Sequence, residues 1–170
     1  VPSSIGDFKN ESLNTMKQRA VIYSVSGSPV SKKVIWAGTD DGLVHVTNDG
    51  GQTWKDVTPS MLTSWDKVSQ VDAGHFDVGT AFFSINAIRK DDLKPHIYKT
   101  KDGGISWKEI VKGLPADGPV NVVREDPKQK GLLFAGTERA VYFSIDEGEN
   151  WQSLRMNMPA TSVRDLVIHE

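Results

Sequence analysis

Three aspartates recur in one frame of the sequence, and a repeated carboxylate is the first feature that could do chemistry. The frame reads Ser or Thr, any residue, Asp, any residue, Gly, any residue, then Ser, Thr or Asn, and it closes at Trp54, Trp107 and Trp151. Two carboxylates hydrolyse a glycosidic bond when they face one sugar from opposite sides. A turn that recurs in successive repeats faces a different direction each time, so we expect these aspartates to stabilise turns and not to catalyse.

The residue types of this frame, called the box below, suit a tight turn. A short aspartate side chain accepts hydrogen bonds from turn amides, glycine allows positive φ, and the closing tryptophan can bury a large ring between sheets. We therefore predict structural boxes with all three tryptophan rings buried. The residues are Thr47, Asp49, Gly51, Thr53 and Trp54; Thr100, Asp102, Gly104, Ser106 and Trp107; and Ser144, Asp146, Gly148 and Trp151.

The elements that position the boxes repeat with them. The closing tryptophans are 53 and 44 residues apart, which is the length of one supersecondary unit per repeat. Each unit offers four short segments rich in Val, Ile, Trp and Thr and bounded by Gly, Pro, Asp or Asn, as strands are; in the first unit they are 20–26, 33–39, 43–48 and 53–58.

The repeat predicts an all-β fold, a β-propeller segment of about three four-stranded antiparallel blades plus the first strand of a fourth. A β-sandwich is the competing fold, but it needs no repeat. The predicted organisation is a lead-in at 1–19, blades at 20–58, 68–112 and 120–157, and the first strand of a further blade at 162–170.

Composition excludes several classes of function. The formal net charge of the 170-residue chain is −2, which gives no basic excess for nucleic acid. Cysteine is absent, so disulfides and thiolate metal sites are excluded. No stretch approaches the roughly 18 apolar residues of a membrane span, and the four histidines share no metal-ligand spacing. We expect no metal, no cofactor and no nucleic acid partner.

A ligand site is expected in the loops at the end opposite the boxes, because loops on rigid scaffolds carry function. Two of these segments are longer than the repeat needs: Pro59 to Lys67, with an isolated tryptophan, and Asn86 to Pro95, which is charged. The alternative is a solvated loop with the tryptophan packed as a lid. The carboxylate pairs Asp40–Asp41 and Asp91–Asp92 are adjacent in sequence and do not suit catalysis. The candidate binding residues are Trp65, Arg89, Asp91, Asp92, Glu138 and Arg139.

The boxes within this blade frame resemble the Asp-box, or bacterial neuraminidase repeat, superfamily of β-propellers. The segments 36–42, 123–127 and 162–166 resemble more closely the large exported bacterial proteins described as glycosyl hydrolase-like or sortilin-like. The resemblance implies a parent ring with more blades and a periplasmic or extracellular location, although this chain carries no export signal. The arginine cluster and the tyrosine–glutamate pair of sialidases have no matching motif here.

Three functions remain open at this point. The chain is a non-catalytic scaffold that binds carbohydrate or peptide through its loops, a part of a glycoside hydrolase whose catalytic residues lie elsewhere, or an interaction protein. An arc of three blades leaves strand edges and blade flanks uncovered. We therefore expect a fragment that self-associates through these edges, with 162–168 lying against the third blade or a neighbouring molecule.

Overall fold

The computed structural model describes residues 21–169, so the predicted lead-in at 1–19 lies outside the described residues. Twelve strands are formed in this part of the chain. Their bounds are β1 Ile22–Gly27, β2 Ile35–Thr39, β3 Val44–Thr47, β4 Lys55–Asp56, β5 Lys67–Ala73, β6 Ala81–Asn86, β7 His96–Thr100, β8 Lys108–Glu109, β9 Val120–Glu125, β10 Leu133–Thr137, β11 Val141–Ser144 and β12 Gln152–Ser153. A 3-10 turn, Ile88–Lys90, precedes β7.

The strands form three four-stranded sheets, each an antiparallel meander in sequence order: β1 to β4, β5 to β8 and β9 to β12. The prediction of three four-stranded antiparallel blades is therefore confirmed. The buried apolar residues lie between the sheets, in one cluster that joins the first blade to the second and another that joins the second to the third. None of the helical segments in the described part of the chain is long and apolar enough to cross a membrane.

The blades pack through their first strands, which we call inner strands. The amide N–H groups of Val71 and Ala73 on β5 donate to the hydroxyls of Ser24 and Ser26 on β1, at 2.9 and 3.0 Å. Between the second and third blades, the amide of Glu125 donates to Asp72 at 2.8 Å. Each inner strand thus bonds to the inner strand before it, which fixes the order of the blades.

The box tryptophans also link neighbouring blades. The indole N–H of Trp107 donates to the carbonyl of Val57 at 2.8 Å, and that of Trp151 donates to the carbonyl of Ile110 at 2.7 Å. Each ring therefore rests on the end of the preceding blade. Trp54 is 45% exposed, so the prediction that all three rings are buried is wrong for Trp54. The physical reason is that no described residues form a blade on its side.

The predicted fourth inner strand is a second correction. Residues 162–168 form no strand, because strand pairing needs a partner and no described segment pairs with their outer edge. The segment nevertheless follows the third blade: the amide of Val163 donates to the carbonyl of Thr137 at 2.9 Å, and Arg124 donates to the carbonyl of Leu166 at 3.3 Å. It thus lies against the third blade, as its predicted position required.

Candidate functional site

The meander gives the arc two ends with different loops. The box hairpins between the third and fourth strands of each blade share one end with the turns between the first and second strands; in each blade a backbone hydrogen bond ties the two, as Gly50 to Lys33 does at 2.9 Å. We call this end the box face. The loops between the second and third strands and the connections between blades lie at the other end, which we call the loop face.

Each box is a closed set of hydrogen bonds. In the second box, the hydroxyl of Thr100 donates to Asp102 at 2.8 Å, and the amide of Ser106 donates to the same carboxylate at 2.9 Å. The amide of Gly104 donates to the Thr100 hydroxyl at 3.0 Å. The first and third boxes repeat these contacts. The carboxylates are therefore fully engaged within separate turns and are not directed at a shared substrate.

These hydrogen bonds lower the pKa of the box aspartates. The hydroxyl of Ser106 is the main cause for Asp102 and the side-chain amide of Asn150 for Asp146, and both pKa values are held at about 2. The pKa of Asp49 is also lowered, chiefly by the Thr53 hydroxyl. A carboxylate with a depressed folded-state pKa stabilises the fold above its unfolded pKa of about 4, and this stability is lost as pH falls through the folded value.

We accordingly expect the melting temperature to fall between about pH 4 and pH 2 as the boxes protonate. Asp102→Asn removes one of these titrations, so the melting temperature of the variant should fall less over this pH range than that of the wild type. Thermal unfolding followed by circular dichroism across this pH range measures both curves. Parallel curves for the wild type and the variant would show that the box carboxylate does not stabilise the turn.

Trp65 and Arg89, from the two long segments of the loop face, are brought together by the fold. The guanidinium carbon of Arg89 lies 5.8 Å from the Trp65 ring centroid, within the range of a cation–π contact. Arg89 is half exposed and approaches Asp40 at 3.8 Å. Lys90 fixes the arrangement, because its ammonium group bonds Thr63 and Asp66 of the other segment, each at 2.6 Å.

Two residues that sequence reasoning missed adjoin this pair. The Lys67 ammonium lies 3.6 Å from the ring centroid of Tyr23, and this ring is 54% exposed. The pKa of the Tyr23 phenol is lowered, first by its hydrogen bond with Lys67 and by the positive charge of Lys67. The charges of Arg164 and Arg89 lower it further. Tyr23 occupies a bulge in β1, where the register shifts between Ile22 and Ser24. Bulges re-aim side chains, and nothing in the sequence pattern signals this one.

We call Tyr23, Trp65, Lys67 and Arg89 the loop-face patch. It combines two aromatic rings with two cations at the junction of the first and second blades. Trp65 itself has φ of 74°, which is rare for a bulky residue. Its amide donates to the Asp41 carbonyl at 3.0 Å, so the strained backbone is held by the neighbouring loop of the first blade.

Asp91 and Asp92 have other roles. Asp91 is exposed and ends the 3-10 turn in the left-handed region, with φ of 59°. Asp92 accepts the Lys94 amide at 3.0 Å, which lowers its pKa, and contacts His96 at 3.2 Å. Both are therefore used within their own loop and the adjacent strand. Among the described residues, no hydrogen bond or ion pair joins either of them to Trp65.

Glu138 and Arg139 lie on the loop face of the third blade. Glu138 accepts from Asn121 at 3.1 Å and lies 3.8 Å from Arg164, and its pKa is lowered mainly by the Ser162 hydroxyl. Arg139 pairs with Asp117 at 2.8 Å, with both side chains more than half exposed. In the described part of the chain, no direct polar contact links the two to the loop-face patch.

Asp40 and Asp41 do not form a catalytic pair either. Asp40 accepts the amide of Val21 at 2.9 Å, and Asp41 accepts the hydroxyl of Thr39 at 2.5 Å. Asp40 thus ties the loop after β2 to the residue that precedes β1, whereas Asp41 closes its own local turn. The two are not arranged on opposite sides of a common space, as glycoside hydrolysis would require.

Comparison with solved structures supports the architecture. The structure titled "YCF48 bound to D1 peptide" superposes with a TM-score of 0.63 and 25% identity, over 79% of this chain and 40% of that one. The "Crystal structure of AFV00434, an ancestral GH74 enzyme" gives a TM-score of 0.61 and 20% identity, over 78% of this chain and 18% of that one. At this identity, the second likeness concerns the fold alone.

Sequence comparison finds two fungal relatives. "Vacuolar protein sorting/targeting protein 10" of Talaromyces stipitatus is 35% identical over 72 residues, which are 39% of this chain and 4% of the relative. The protein of that name from Komagataella phaffii is 33% identical over 84 residues, or 46% of this chain and 5% of the relative. The chain thus spans a small part of these proteins. No family model matches the sequence.

The three blades and these likenesses define the class of protein: the chain is a β-propeller. More particularly, parts of it are similar to vacuolar protein sorting/targeting protein 10 and to YCF48.

Proposed function

We propose that this chain is a non-catalytic scaffold that binds an extended peptide at the loop-face patch. The observation that carries the proposal is the convergence of Trp65 and Arg89 from two segments that are longer than the repeat needs, joined by the Lys90–Asp66 ion pair at 2.6 Å. Loops that are anchored on a scaffold of packed blades suit recognition, because little conformational entropy is lost when a ligand binds.

The residue types of the loop-face patch favour a peptide. Tryptophan, tyrosine and arginine are the residues that dominate binding energy at protein interfaces. Lys67 and Arg89 add positive charge beside the two rings, so we expect the preferred peptides to carry an acidic group next to an aromatic or aliphatic one. The solved neighbour whose title records a bound D1 peptide supports a peptide over a carbohydrate, the other ligand expected from the sequence.

The test is selection from an array of random 12-residue peptides, followed by fluorescence anisotropy with the best binder. Trp65→Ala combined with Arg89→Ala should weaken binding at least about tenfold, which corresponds to about 1.4 kcal/mol. The melting temperature should change little, because Arg89 is half exposed and Trp65 is only partly buried. The matched control is Trp54→Ala with Arg155→Ala, which removes an exposed tryptophan and an arginine away from the loop-face patch.

The proposal would be contradicted if the control double variant weakened peptide binding equally, or if the Trp65 and Arg89 double variant bound the peptide as well as the wild type does. A large fall in melting temperature with binding intact would instead assign Trp65 the role of a packed lid. The hydrolase alternative is tested by incubating the protein with a panel of aryl glycosides, where turnover would contradict a non-catalytic scaffold. We propose in addition that the protein is exported to the periplasm or cell exterior, because its sequence resembles large exported bacterial propeller proteins.

A further inference from the structure

The two contacts between blades differ in charge, although the repeat builds them from equivalent positions. We call the contact of the first and second blades the first joint, and that of the second and third blades the second joint. The strand register shows which residues are equivalent. Trp36 and Phe82 occupy the same position in the second strands of their blades, and Ser26 pairs with Trp36 as Asp72 pairs with Phe82. Asp72 therefore stands in the second joint where Ser26 stands in the first.

Two further positions follow the same rule. Glu125 pairs with Leu133 on β10 as Ala73 pairs with Ala81 on β6, so Glu125 replaces Ala73. Lys99, which pairs with Phe82, replaces Val46, which pairs with Trp36. The first joint shows that the blade fold needs no charge at these three positions. The second joint nonetheless buries all three charged side chains, which are between 4% and 6% exposed.

The carboxylates of Asp72 and Glu125 lie at the centre of the second joint. Asp72 accepts the Glu125 amide at 2.8 Å and the Arg124 guanidinium at 3.1 Å. Glu125 accepts the His75 amide at 2.7 Å. The ring Nδ1 of His75 is buried without a hydrogen-bond partner and lies 3.9 Å from the Glu125 carboxylate. A proton taken up here has a carboxylate oxygen and a ring nitrogen within reach.

Other charged groups surround this pair from each packed element. Arg124, beside Asp72, is shared with Asp165 at 3.3 Å. Towards the box face, Glu125 lines a cleft of about 70 Å³ together with charged residues from the neighbouring turns, strand and box, namely Asp77, Lys99, Lys101, Lys130 and Glu147. Two of these lysines contact Glu147. Lys99 donates to the backbone carbonyl of Glu147 at 2.8 Å, and Lys101 forms an ion pair with its carboxylate. Within the described part of the chain, none of the three lysines forms an ion pair with Glu125.

We propose that the second joint is proton-linked: uptake of a proton by the Asp72–Glu125 pair tightens the packing of the third blade on the second, while the first joint does not respond to pH. Two buried carboxylates, of which only Asp72 contacts an arginine that it shares with Asp165, leave negative charge in a site of low polarity. Protonation removes this charge and supplies a donor. In agreement, burial raises the pKa of both side chains, against the opposing effect of Arg124 on Asp72.

The sign of the effect is opposite to that of the boxes. A carboxyl whose folded-state pKa is raised binds more protons in the folded than in the unfolded chain between the two values. Its stabilising contribution is complete below the unfolded pKa, near 4, and is lost as pH rises through the folded value. Acidification from neutral pH towards about pH 5 should therefore stabilise the second joint.

An NMR titration of the 170-residue chain tests this directly. The amide signals of His75 and Glu125, which donate to the two carboxylates, should shift with a midpoint above the ordinary carboxyl range of about 4. The amides of Val71 and Ala73, which donate to serines in the first joint, provide the internal control and should show no such midpoint. Midpoints at or below about 4 for His75 and Glu125 would overturn the proposal.

Thermal unfolding of variants gives an independent readout. Glu125→Gln keeps the acceptor for His75 and mimics the protonated side chain, and Asp72→Ser introduces the residue of the first joint. Each variant should have a higher melting temperature than the wild type at pH 7.5, and this difference in melting temperature should become smaller towards pH 5. The control Asp117→Asn removes an exposed carboxylate and should leave the wild-type profile unchanged.

His75→Asn separates the carboxylates from the histidine. The rise in melting temperature on acidification should persist in this variant, because Asp72 and Glu125 take up the proton. Loss of this rise in His75→Asn alone, or parallel profiles for Glu125→Gln, Asp72→Ser and the wild type, would contradict proton uptake by the carboxylate pair.

Discussion

Replacing Trp151 with alanine is expected to destabilise the protein by about 3–5 kcal/mol, the usual cost of truncating a large buried aromatic side chain. Trp151 is 4% exposed and belongs to the apolar cluster that joins the second and third blades. The same change removes the indole donor of the 2.7 Å hydrogen bond to Ile110. The variant therefore loses both packing area and the polar link between the blades.

The three box tryptophans form a graded series. Trp107 is partly buried, but it packs edge-on against Trp36 at 5.9 Å and Phe83 at 4.7 Å, so Trp107→Ala should cost nearly as much. Trp54 is 45% exposed, and Trp54→Ala should change stability by no more than about 1 kcal/mol. Urea denaturation of the three variants measures the series. Equal costs at all three positions would mean that the box turn, and not the contact with the preceding blade, determines the role of the tryptophan.

The difference among these tryptophans shows what the sequence can and cannot predict. The box residues recur, so the turn chemistry and the four strands of each blade could be read from local pattern alone. Burial of the closing ring depends on a neighbouring blade, which the pattern of one repeat does not contain. Trp54 satisfies the motif as fully as Trp107 and Trp151 do, yet only those two have a described blade to rest on.

The loop-face patch was predictable in part for a related reason. The extra length of two loop segments and the isolated Trp65 marked the region, and the fold brings Trp65 to Arg89. Tyr23 could not be predicted, because a one-residue bulge in β1 changes which side chains are exposed and leaves no signature in residue type. The charge of Asp91 and Asp92 predicts contacts with a ligand, but short carboxylates in loops commonly bond to their own backbone.

The buried charges of the second joint were likewise invisible to pattern reasoning. An alternating strand predicts which side chains face inwards, but Asp72 and Glu125 interrupt the apolar pattern at positions that read as strand ends. Only the register of the finished sheets shows that they replace Ser26 and Ala73. The repeat then acts as an internal reference, since one joint reveals which residues of the other the fold does not require.

Close packing of β2 against the inner strand of the second blade makes Gly38 sensitive to substitution. Gly38 lies in β2, and a Cβ atom added there would stand 2.3 Å from Cγ1 of Val68 and 2.9 Å from Cγ2 of Val71. Both valines are fully buried in the first joint and have no room to withdraw. Gly38→Ala should therefore cost about 1–3 kcal/mol by overpacking, although alanine suits a strand no worse than glycine. The matched control is Gly27→Ala in β1, where an added Cβ would have no atom within 4 Å, and the expected change is within about 0.5 kcal/mol. Urea denaturation of both variants decides the matter: a neutral Gly38→Ala would mean that β2 and the inner strand of the second blade lie farther apart than the structure places them.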